Sequence, residues 1–276
     1  MATLQINECK ERRLASAGLL SARSAARCSG ALIINADDWG RNQETTDRIF
    51  ECFLRGTVSS VSAMVLMEDS GRAAEMARCR GIDVGLHLNF TTPFSNVNCP
   101  TKLLECQDKL AAYLQRRSFA KALFNPGLTR TFQYVMAAQV DEFRRLYGAE
   151  PGRLDGHHHM HLCENVLLSG LLPSGTVVRR NFTFRAGEKS LVNRLYRKLV
   201  DCRLARRHLL VDFFFSLPPL QPLERLQRIA SLARQHVVEL ETHPINPEEY
   251  RFLSQREILR VFGEGQIAPR FAFPQS

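Results

Sequence analysis

Four of the eight histidines stand with a carboxylate in one seven-residue run, Asp155-Gly156-His157-His158-His159-Met160-His161. If the run is extended, side chains alternate between the two faces of the strand. One face then carries Asp155, His157, His159 and His161. His158 then points to the other face. If the run is helical, His157 and His161 share a face one turn apart. Either arrangement can present imidazoles to a metal ion, although histidine runs also occur in tags, solvated loops and structural hydrogen-bond clusters.

The other residues able to complete a metal site lie within or directly after short apolar runs. Asp37 and Asp38 come after a run that begins at Ala31, and His87 lies within another at 84–90. A hydrolytic metal site needs about three protein ligands and an open position for water. Asp38, His87 and His157 can supply those ligands.

The acid and base of a hydrolytic reaction can come from the neighbours of these ligands. Asp37, adjacent to Asp38, is placed to act as a general base. His243, fixed by the following proline, can act as a general acid, with Glu239 or Glu241 to orient it. Each residue type also has an ordinary structural role, since aspartates cap helices and histidines can be core or turn residues.

Apolar strand-like runs alternate with amphipathic helical patterns along the chain. The predicted strands are 31–35, 58–67, 84–90, 153–161, 176–184, 209–217, 237–242 and 266–271. The predicted helices are 45–55, 72–80, 102–117, 132–146, 190–204, 222–235 and 254–262. This alternation predicts an α/β fold with a parallel sheet, closed or nearly closed into a barrel. Active sites of such barrels lie at the carboxyl ends of the strands, where the candidate residues fall.

The composition predicts one catalytic domain at 31–276. A chain of 276 residues with 45% hydrophobic content can bury a large core, and it contains no apolar run long enough for a membrane span. Residues 1–30 are rich in Ala, Ser and Arg, which predicts a disordered or targeting-like extension. The eight cysteines form no Cys-x-x-Cys pair, so we expect reduced thiols in a cytoplasmic protein, with organellar targeting by 1–30 as the alternative.

The positive charge is concentrated in one segment. The net charge is +9, and residues 179–208 carry ten Lys or Arg against Glu188 and Asp201. Such a segment could meet nucleic acid, a membrane surface or an acidic glycan. Because no aromatic residues are interleaved in a nucleic-acid-binding pattern, we favour a solvated helix face and expect no nucleic-acid partner.

Four motifs resemble, in order and spacing, those of the YdjC-like carbohydrate deacetylases across about residues 31 to 245. They are Asn35-Ala36-Asp37-Asp38-Trp39-Gly40, Gly85-Leu86-His87-Leu88-Asn89, the histidine run, and Glu239-Leu240-Glu241-Thr242-His243-Pro244. The resemblance implies a divalent-metal N-deacetylase, with Mg or Zn, acting on acetylated amino sugars such as chito-oligosaccharides or related glycans or glycolipids. It also implies a distorted α/β barrel like that of polysaccharide deacetylases, and a homodimer.

Carried onto the matching positions, the resemblance makes Asp37 the catalytic base and His243 the proton donor. The metal ligands would be Asp38, His87 and His157. Five further residues are expected to orient the ligands or contact substrate: Asn89, Asp155, His159, His161 and Glu239. His158 is expected to be dispensable.

The sequence departs from the family pattern at two places. Trp39 replaces a usual phenylalanine and is expected to reshape the pocket edge. Ile245-Asn246-Pro247 follows Pro244 where the family often has glycine, which leaves the surroundings of His243 open.

The predicted reaction is hydrolysis of an N-acetyl group by metal-activated water, with Asp37 as base and His243 as acid. One alternative is a metal-dependent phosphoesterase, which often holds two ions. A non-enzymatic metal-binding or anion-binding protein is another.

Overall fold

The structure, a computed structural model, describes residues 30–116 and 119–271. The extension predicted at residues 1–30 lies outside the described residues, apart from Gly30. None of the helices within the described ranges is long and apolar enough to cross a membrane.

Seven parallel strands form one sheet in the order β5-β4-β3-β2-β1-β7-β6. The strands are β1 (Ala31–Trp39), β2 (Ser60–Ala63), β3 (Val84–Leu88), β4 (Arg153–Gly156), β5 (Val177–Val178), β6 (Phe213–Ser216) and β7 (Val237–Thr242). The α-helices of the described ranges are α1 (Gln43–Leu54), α2 (Ser70–Arg80), α3 (Thr101–Arg116), α4 (Thr129–Tyr147), α5 (Glu164–Leu168), α6 (Leu191–Leu204), α7 (Leu223–Ala233), α8 (Pro247–Ser254) and α9 (Glu257–Phe262). The predicted parallel α/β organisation is confirmed.

The sheet forms a distorted barrel that is incompletely closed between its edge strands, β5 and β6. Thr183, beyond β5, reaches across this gap. Its backbone N–H donates to the carbonyl of Phe214 at 2.8 Å, and its Oγ1 accepts from the Phe214 N–H at 3.2 Å. The two edges are therefore joined by local hydrogen bonds rather than by a strand ladder.

Helices begin and end at residues with favourable capping conformations. Asn42 caps α1, where its side chain accepts a hydrogen bond from the backbone of Thr45 at 2.9 Å. Gly148 ends α4 in the left-handed conformation, with φ of 69°. The seven predicted helices overlap helices of the structure, whereas α5 and α8 were not predicted.

Three predicted strands differ most from the structure, and one of them, predicted at 153–161, ends at Gly156. The strand predicted at 176–184 contains only Val177–Val178, and Arg179 directly after it projects into a cluster of buried carboxylates. The strand predicted at 266–271 is wrong, because only a single bridge joins Ile267 to Leu32. β1 already pairs with β2 on one side and β7 on the other, so little of its edge remains for a further partner.

The strands present an apolar face to the helices and a polar face to the barrel interior. On β1, Leu32, Ile34 and Ala36 belong to the main core. The alternate residues Asn35 and Asp37 are equally buried but polar. Buried polar groups are costly unless they are hydrogen-bonded, so this interior requires a connected network.

Asn35 connects that network across three strands. Its Nδ2 donates to Asp37 Oδ1 and to Ser62 Oγ, both at 2.8 Å, and its Oδ1 accepts from Ser60 Oγ at 2.8 Å. Arg153 adds a donor to Asn35 Oδ1 at 3.2 Å. Gly85 makes room for that arginine, because a Cβ there would lie 2.7 Å from Arg153 Nε. The barrel interior thus fixes the carboxylates that reach its carboxyl end.

Candidate metal and catalytic site

A backbone irregularity at the end of β1 brings two adjacent carboxylates into one site. In a regular strand, neighbouring side chains point to opposite faces. The β1–β2 register shifts between Ala36 and Trp39, and Asp38 takes a left-handed backbone with φ of 69°. That conformation is uncommon for a residue other than glycine and costs of order 1–3 kcal/mol. It allows Asp37 and Asp38 to serve the same site.

Asp38, His87 and His157 converge as the sequence predicted. Asp38 Oδ1 lies 2.9 Å from His157 Nδ1 and 3.5 Å from His87 Nε2. All three side chains are buried, and one candidate ligand atom from each lies within 4.8 Å of the others. The three residues come from the ends of β1 and β3 and from the turn after β4.

Asp155 fixes the orientation of the His87 ring. Its Oδ1 lies 2.7 Å from His87 Nδ1, while its Oδ2 accepts from Ser62 Oγ at 2.5 Å. His87 Nε2 consequently faces Asp38, and it is buried without a hydrogen-bond partner among the described residues. A carboxylate behind a ligating histidine is the usual support in metal sites, so the donors fit a divalent cation.

The electrostatics of the site are dominated by its carboxylates. Burial alone would lower the pKa of His87, but Asp37 and Asp155 outweigh it and raise this pKa to about 9. Burial acts to raise the pKa of Asp38, yet the hydrogen bond from His157 and the charge of His87 bring it below its usual range. The cluster therefore favours positive charge at the position between these side chains.

Removing the support of His87 should weaken metal binding. In Asp155→Asn, the amide group cannot satisfy His87, Ser62 and Arg179 together, so we expect the affinity for Zn²⁺ to fall ~10–100-fold. Isothermal titration of the metal-free protein measures this affinity. Ser62→Ala, which only loosens Asp155, should have a smaller effect, and equal losses in both variants would contradict the assigned role.

Arg179 is the residue of the site that our sequence reasoning missed. It is fully buried and contacts four carboxylates, with Nη1 at 2.6 Å from Asp37 Oδ2 and at 3.2 Å from Glu241 Oε2. Its Nη2 and Nε lie 2.9 Å from Asp155 Oδ2 and 2.8 Å from Glu239 Oε1. The available signal was a charged residue inside the apolar strand predicted at 176–184, which the surrounding basic segment obscured.

Asp37, Glu241 and His243 form a second group beside the metal-ligand cluster. Asp37 Oδ2 lies 4.0 Å from His243 Nε2, and Glu241 Oε1 lies 4.0 Å from His243 Nδ1. Burial and the nearby charge of Asp37 raise the pKa of Glu241 well above its ordinary value. His243 is 30% exposed, so it borders both the buried carboxylates and solvent.

The segment after His243 positions that histidine. The Glu249 carboxylate accepts from the backbone N–H of His243 at 2.9 Å and from Thr242 Oγ1 at 2.8 Å. Asn246 Nδ2 donates to the other oxygen of Glu249 at 2.7 Å. Asn246, within the departure from the family pattern, thus helps to hold the end of β7.

The histidine run adopts neither a continuous strand nor a regular helix. β4 ends at Gly156, and a short 3₁₀ segment covers His157–Leu162 with His158 and His159 in left-handed backbone conformations. The predicted shared faces are therefore wrong, because each left-handed residue redirects the chain. Among the ion pairs of the described residues, His157 is the one histidine of the run that contacts Asp38.

The other three histidines have separate surroundings. His158 packs its ring 4.0 Å from that of His157 and places Nδ1 2.9 Å from Thr91 Oγ1. His159 contacts the Phe182 ring and lies 3.6 Å from Glu241. His161 is fully buried, with Nε2 2.9 Å from the Arg179 carbonyl oxygen. His161 thus supports the backbone of Arg179, and the dispensability of His158 stays a prediction.

Stability at mildly acidic pH should depend on His161. Burial lowers the pKa of this histidine to about 4, so between pH ~6.5 and ~4 the unfolded chain binds a proton that the folded protein does not. Stability therefore falls as pH falls through this window, by up to about 3 kcal/mol. His161→Gln should flatten the slope measured by urea unfolding. An unchanged slope would contradict this origin.

Asn89 and Glu239 contact residues around the proposed ligands. The Asn89 Oδ1 accepts from the backbone of Thr91 and Thr92 at 3.1 and 2.9 Å, so this side chain shapes the loop after β3. Glu239 contacts Arg179 rather than His243 in the described contacts. Trp39 is fully buried in the main core, so its expected place at the pocket edge is wrong.

The fold and site define a barrel protein with a buried Asp-His cluster at the carboxyl ends of its strands. A model of the YdjC-like protein family matches residues 31–256. The chain belongs to that family.

Curated relatives match over a shorter region. A mouse protein named carbohydrate deacetylase is 33% identical over 138 residues, which cover 49% of this chain and 44% of the relative. A Yersinia pestis (strain Pestoides F) protein named chitooligosaccharide deacetylase is 30% identical over 138 residues, covering 49% of this chain and 52% of the relative. The matched region therefore spans about half the length of these relatives.

A solved structure supports the fold. It is an Enterococcus faecalis V583 protein named for cellobiose-phosphate cleavage, with a TM-score of 0.63 and 22% sequence identity. The match covers 86% of this chain and 95% of that protein. At this identity the likeness concerns the fold alone.

Proposed function

We propose that this protein is a divalent-metal-dependent N-deacetylase of an acetylated amino sugar, such as a chito-oligosaccharide or a related glycan or glycolipid. The observation that carries the proposal is one continuous site, in which Asp38, His87 and His157 converge beside Asp37 and His243. The names of the relatives, carbohydrate deacetylase and chitooligosaccharide deacetylase, support the substrate class.

Asp38, His87 and His157 would hold one Mg²⁺ or Zn²⁺ ion. When bound, the metal would polarise the acetyl carbonyl and lower the pKa of water. Asp37 would accept a proton from the attacking water, and Arg179 holds its carboxylate in place through two hydrogen bonds of 2.6 and 2.8 Å.

His243 would give a proton to the departing amine. Its partial exposure places it at the mouth of the site, and Glu249 fixes its backbone. The products would be acetate and the free amino sugar.

Arg179 disfavours the phosphoesterase alternative. A second ion near Asp37, Glu241 and His243 would lie beside a guanidinium that already contacts both carboxylates at 2.6 and 3.2 Å. Repulsion between the two cations favours a site for a single ion. A purely metal-storing protein would have no use for Asp37 and His243 in this arrangement.

We further propose that residues 31–276 act as one catalytic domain in the cytoplasm. Every strand of the described ranges joins one sheet. Six cysteines of these ranges are free, as expected in a reducing compartment. The homodimer stays a prediction.

Acetate release tests the proposed reaction. Purified protein is incubated with diacetylchitobiose, and separately with another N-acetylated glycan, in the presence of Mg²⁺, Zn²⁺ or Co²⁺. Wild-type protein should release acetate, whereas Asp37→Asn and His157→Ala should not. Acetate release that survives both substitutions, or phosphate release from a phosphomonoester without any deacetylation, would overturn the proposal.

A further inference from the structure

Helix α6 carries an apolar stripe that the described part of the chain does not cover. Leu191, Val192, Leu195 and Leu199 are 76%, 78%, 55% and 61% exposed. At 100° per residue these four positions fall within one third of the helix circumference. Val200 and Leu204, on the other side of α6, are buried against the protein. A stripe of this kind needs an explanation, because large aliphatic side chains are rarely exposed together.

Cations border this stripe. Arg194 and Lys198 lie on one side of it and Arg203 on the other, by the same helical geometry. All three belong to the half-buried or exposed part of α6, and none forms an ion pair within the described ranges. Arg179 and Arg180, which begin the basic segment, are instead neutralised inside the protein by Asp37 and Asp201. The remaining excess of charge is thus concentrated on and near α6.

We propose that α6 docks on the surface of an anionic phospholipid bilayer. A helix with an exposed apolar stripe and a basic border lies in the plane of a membrane interface, with its apolar residues among the acyl chains and its cations near lipid phosphates. Each Lys or Arg near an anionic surface strengthens binding about fivefold. The complementarity between an anionic lipid surface and this basic border selects the partner. This inference does not depend on the deacetylase proposal.

Charge disfavours the other occupants of the stripe. A second copy paired through the same face would bring Arg194, Lys198 and Arg203 of both subunits together. Residues 1–29 carry five Lys or Arg against Glu8 and Glu11, so they too would add positive charge to a positive surface. Of the three possible occupants, only an anionic lipid surface would reduce the repulsion between the cations on α6.

Helix α6 also lines a cavity of about 160 Å³ beside the candidate site. His159 lines it from one side, and Asn193, Tyr196 and Arg197 of α6 line it from the other. The same helix therefore carries the proposed lipid-binding stripe and, outside that stripe, lines a cavity next to the surroundings of the site.

Vesicle sedimentation tests the docking. Full-length protein is mixed with vesicles of phosphatidylcholine alone, or of phosphatidylcholine with phosphatidylserine, at low ionic strength. Wild-type protein should bind only the anionic vesicles. Arg194→Gln combined with Lys198→Gln should weaken the partition coefficient by about 30-fold, and Leu195→Gln combined with Leu199→Gln by at least ~10-fold.

Exposed residues away from α6 provide matched controls. Val97→Gln removes a side chain that is 95% exposed, and Arg130→Gln removes an exposed cation on α4. Neither should change vesicle binding, and far-UV circular dichroism checks that every variant is folded. The proposal is overturned if anionic vesicles bind no better than neutral ones, or if both α6 variants bind as wild type does. A dimer in solution that the Leu195 and Leu199 substitutions dissociate would also overturn it.

Discussion

Arg179→Met is expected to lower the free energy of unfolding by about 3–5 kcal/mol, because it leaves buried carboxylates without their cation. Arg179 contacts Asp37, Asp155 and Glu239 at 2.6 to 2.9 Å, and each of these side chains is at most 2% exposed. The deficit relative to wild type should shrink toward acidic pH. Without the guanidinium, the folded-state pKa values of the carboxylates rise, and protonation then relieves their repulsion. Urea unfolding at neutral and acidic pH measures both effects.

Arg180→Met is the matched control for this experiment. Arg180 is the next residue and also forms an ion pair, with Asp201 at 3.0 Å, but its side chain is 25% exposed. Its loss should cost about 1 kcal/mol, as expected for a partly solvated pair. Equal destabilisation by the two substitutions would show that Arg179 does not organise the buried carboxylates.

Asp37→Asn and Asp38→Asn should separate catalysis from metal binding. Asp37→Asn removes the proposed base and should lower kcat on diacetylchitobiose by ~10²–10⁴-fold, with metal affinity nearly unchanged. Asp38→Asn removes a proposed ligand, so metal affinity should fall by more than the ~10–100-fold that the loss of an outer partner costs. Steady-state kinetics and isothermal titration of the metal-free proteins measure the two effects.

Glu239→Gln controls for the loss of charge around Arg179. Glu239 also contacts this arginine, at 2.8 Å, but it lies two residues before Glu241 on β7 and contacts neither Asp38 nor His243 in the described structure. Its substitution should leave kcat within a few-fold of wild type. If Asp37→Asn lost the metal together with activity, Asp37 would be a ligand rather than a base.

Most of the strand positions and the convergence of Asp38, His87 and His157 could be predicted from the sequence. Apolar runs alternate with amphipathic helices, and in a parallel barrel all strands deliver their carboxyl ends to the same edge. Three candidate ligands on or directly after three predicted strands were therefore expected to lie near one another. The family resemblance added roles to residues that this geometry had already grouped.

The histidine run could not be predicted because its conformation depends on tertiary contacts. Left-handed backbone at His158 and His159 is unfavourable locally, and neither strand nor helix periodicity anticipates it. The surrounding structure fixes it through His157 beside Asp38 and His161 beside the Arg179 carbonyl.

Arg179 escaped prediction for a related reason. Local sequence gives the sign of a charge but not the direction of the side chain, and a basic segment usually indicates a solvated surface. Only the curvature of the sheet that carries β1, β4 and β7 brings Asp37, Asp155 and Glu239 around this guanidinium. Polar alternation on β1 and β7, at Asn35, Asp37, Glu239 and Glu241, was the sequence signal that the barrel interior is charged.

The position of a bound ion is the most direct test of the metal site. Crystals grown with Zn²⁺ should show one anomalous peak at the zinc edge, about 2.0–2.2 Å from an oxygen of Asp38 and from a ring nitrogen of His87 and of His157. Asp37 and His243 should lie beside the ion without binding it. A peak between Asp37, Glu241 and His243, or two peaks about 3.5–4 Å apart, would contradict the single-ion deacetylase site.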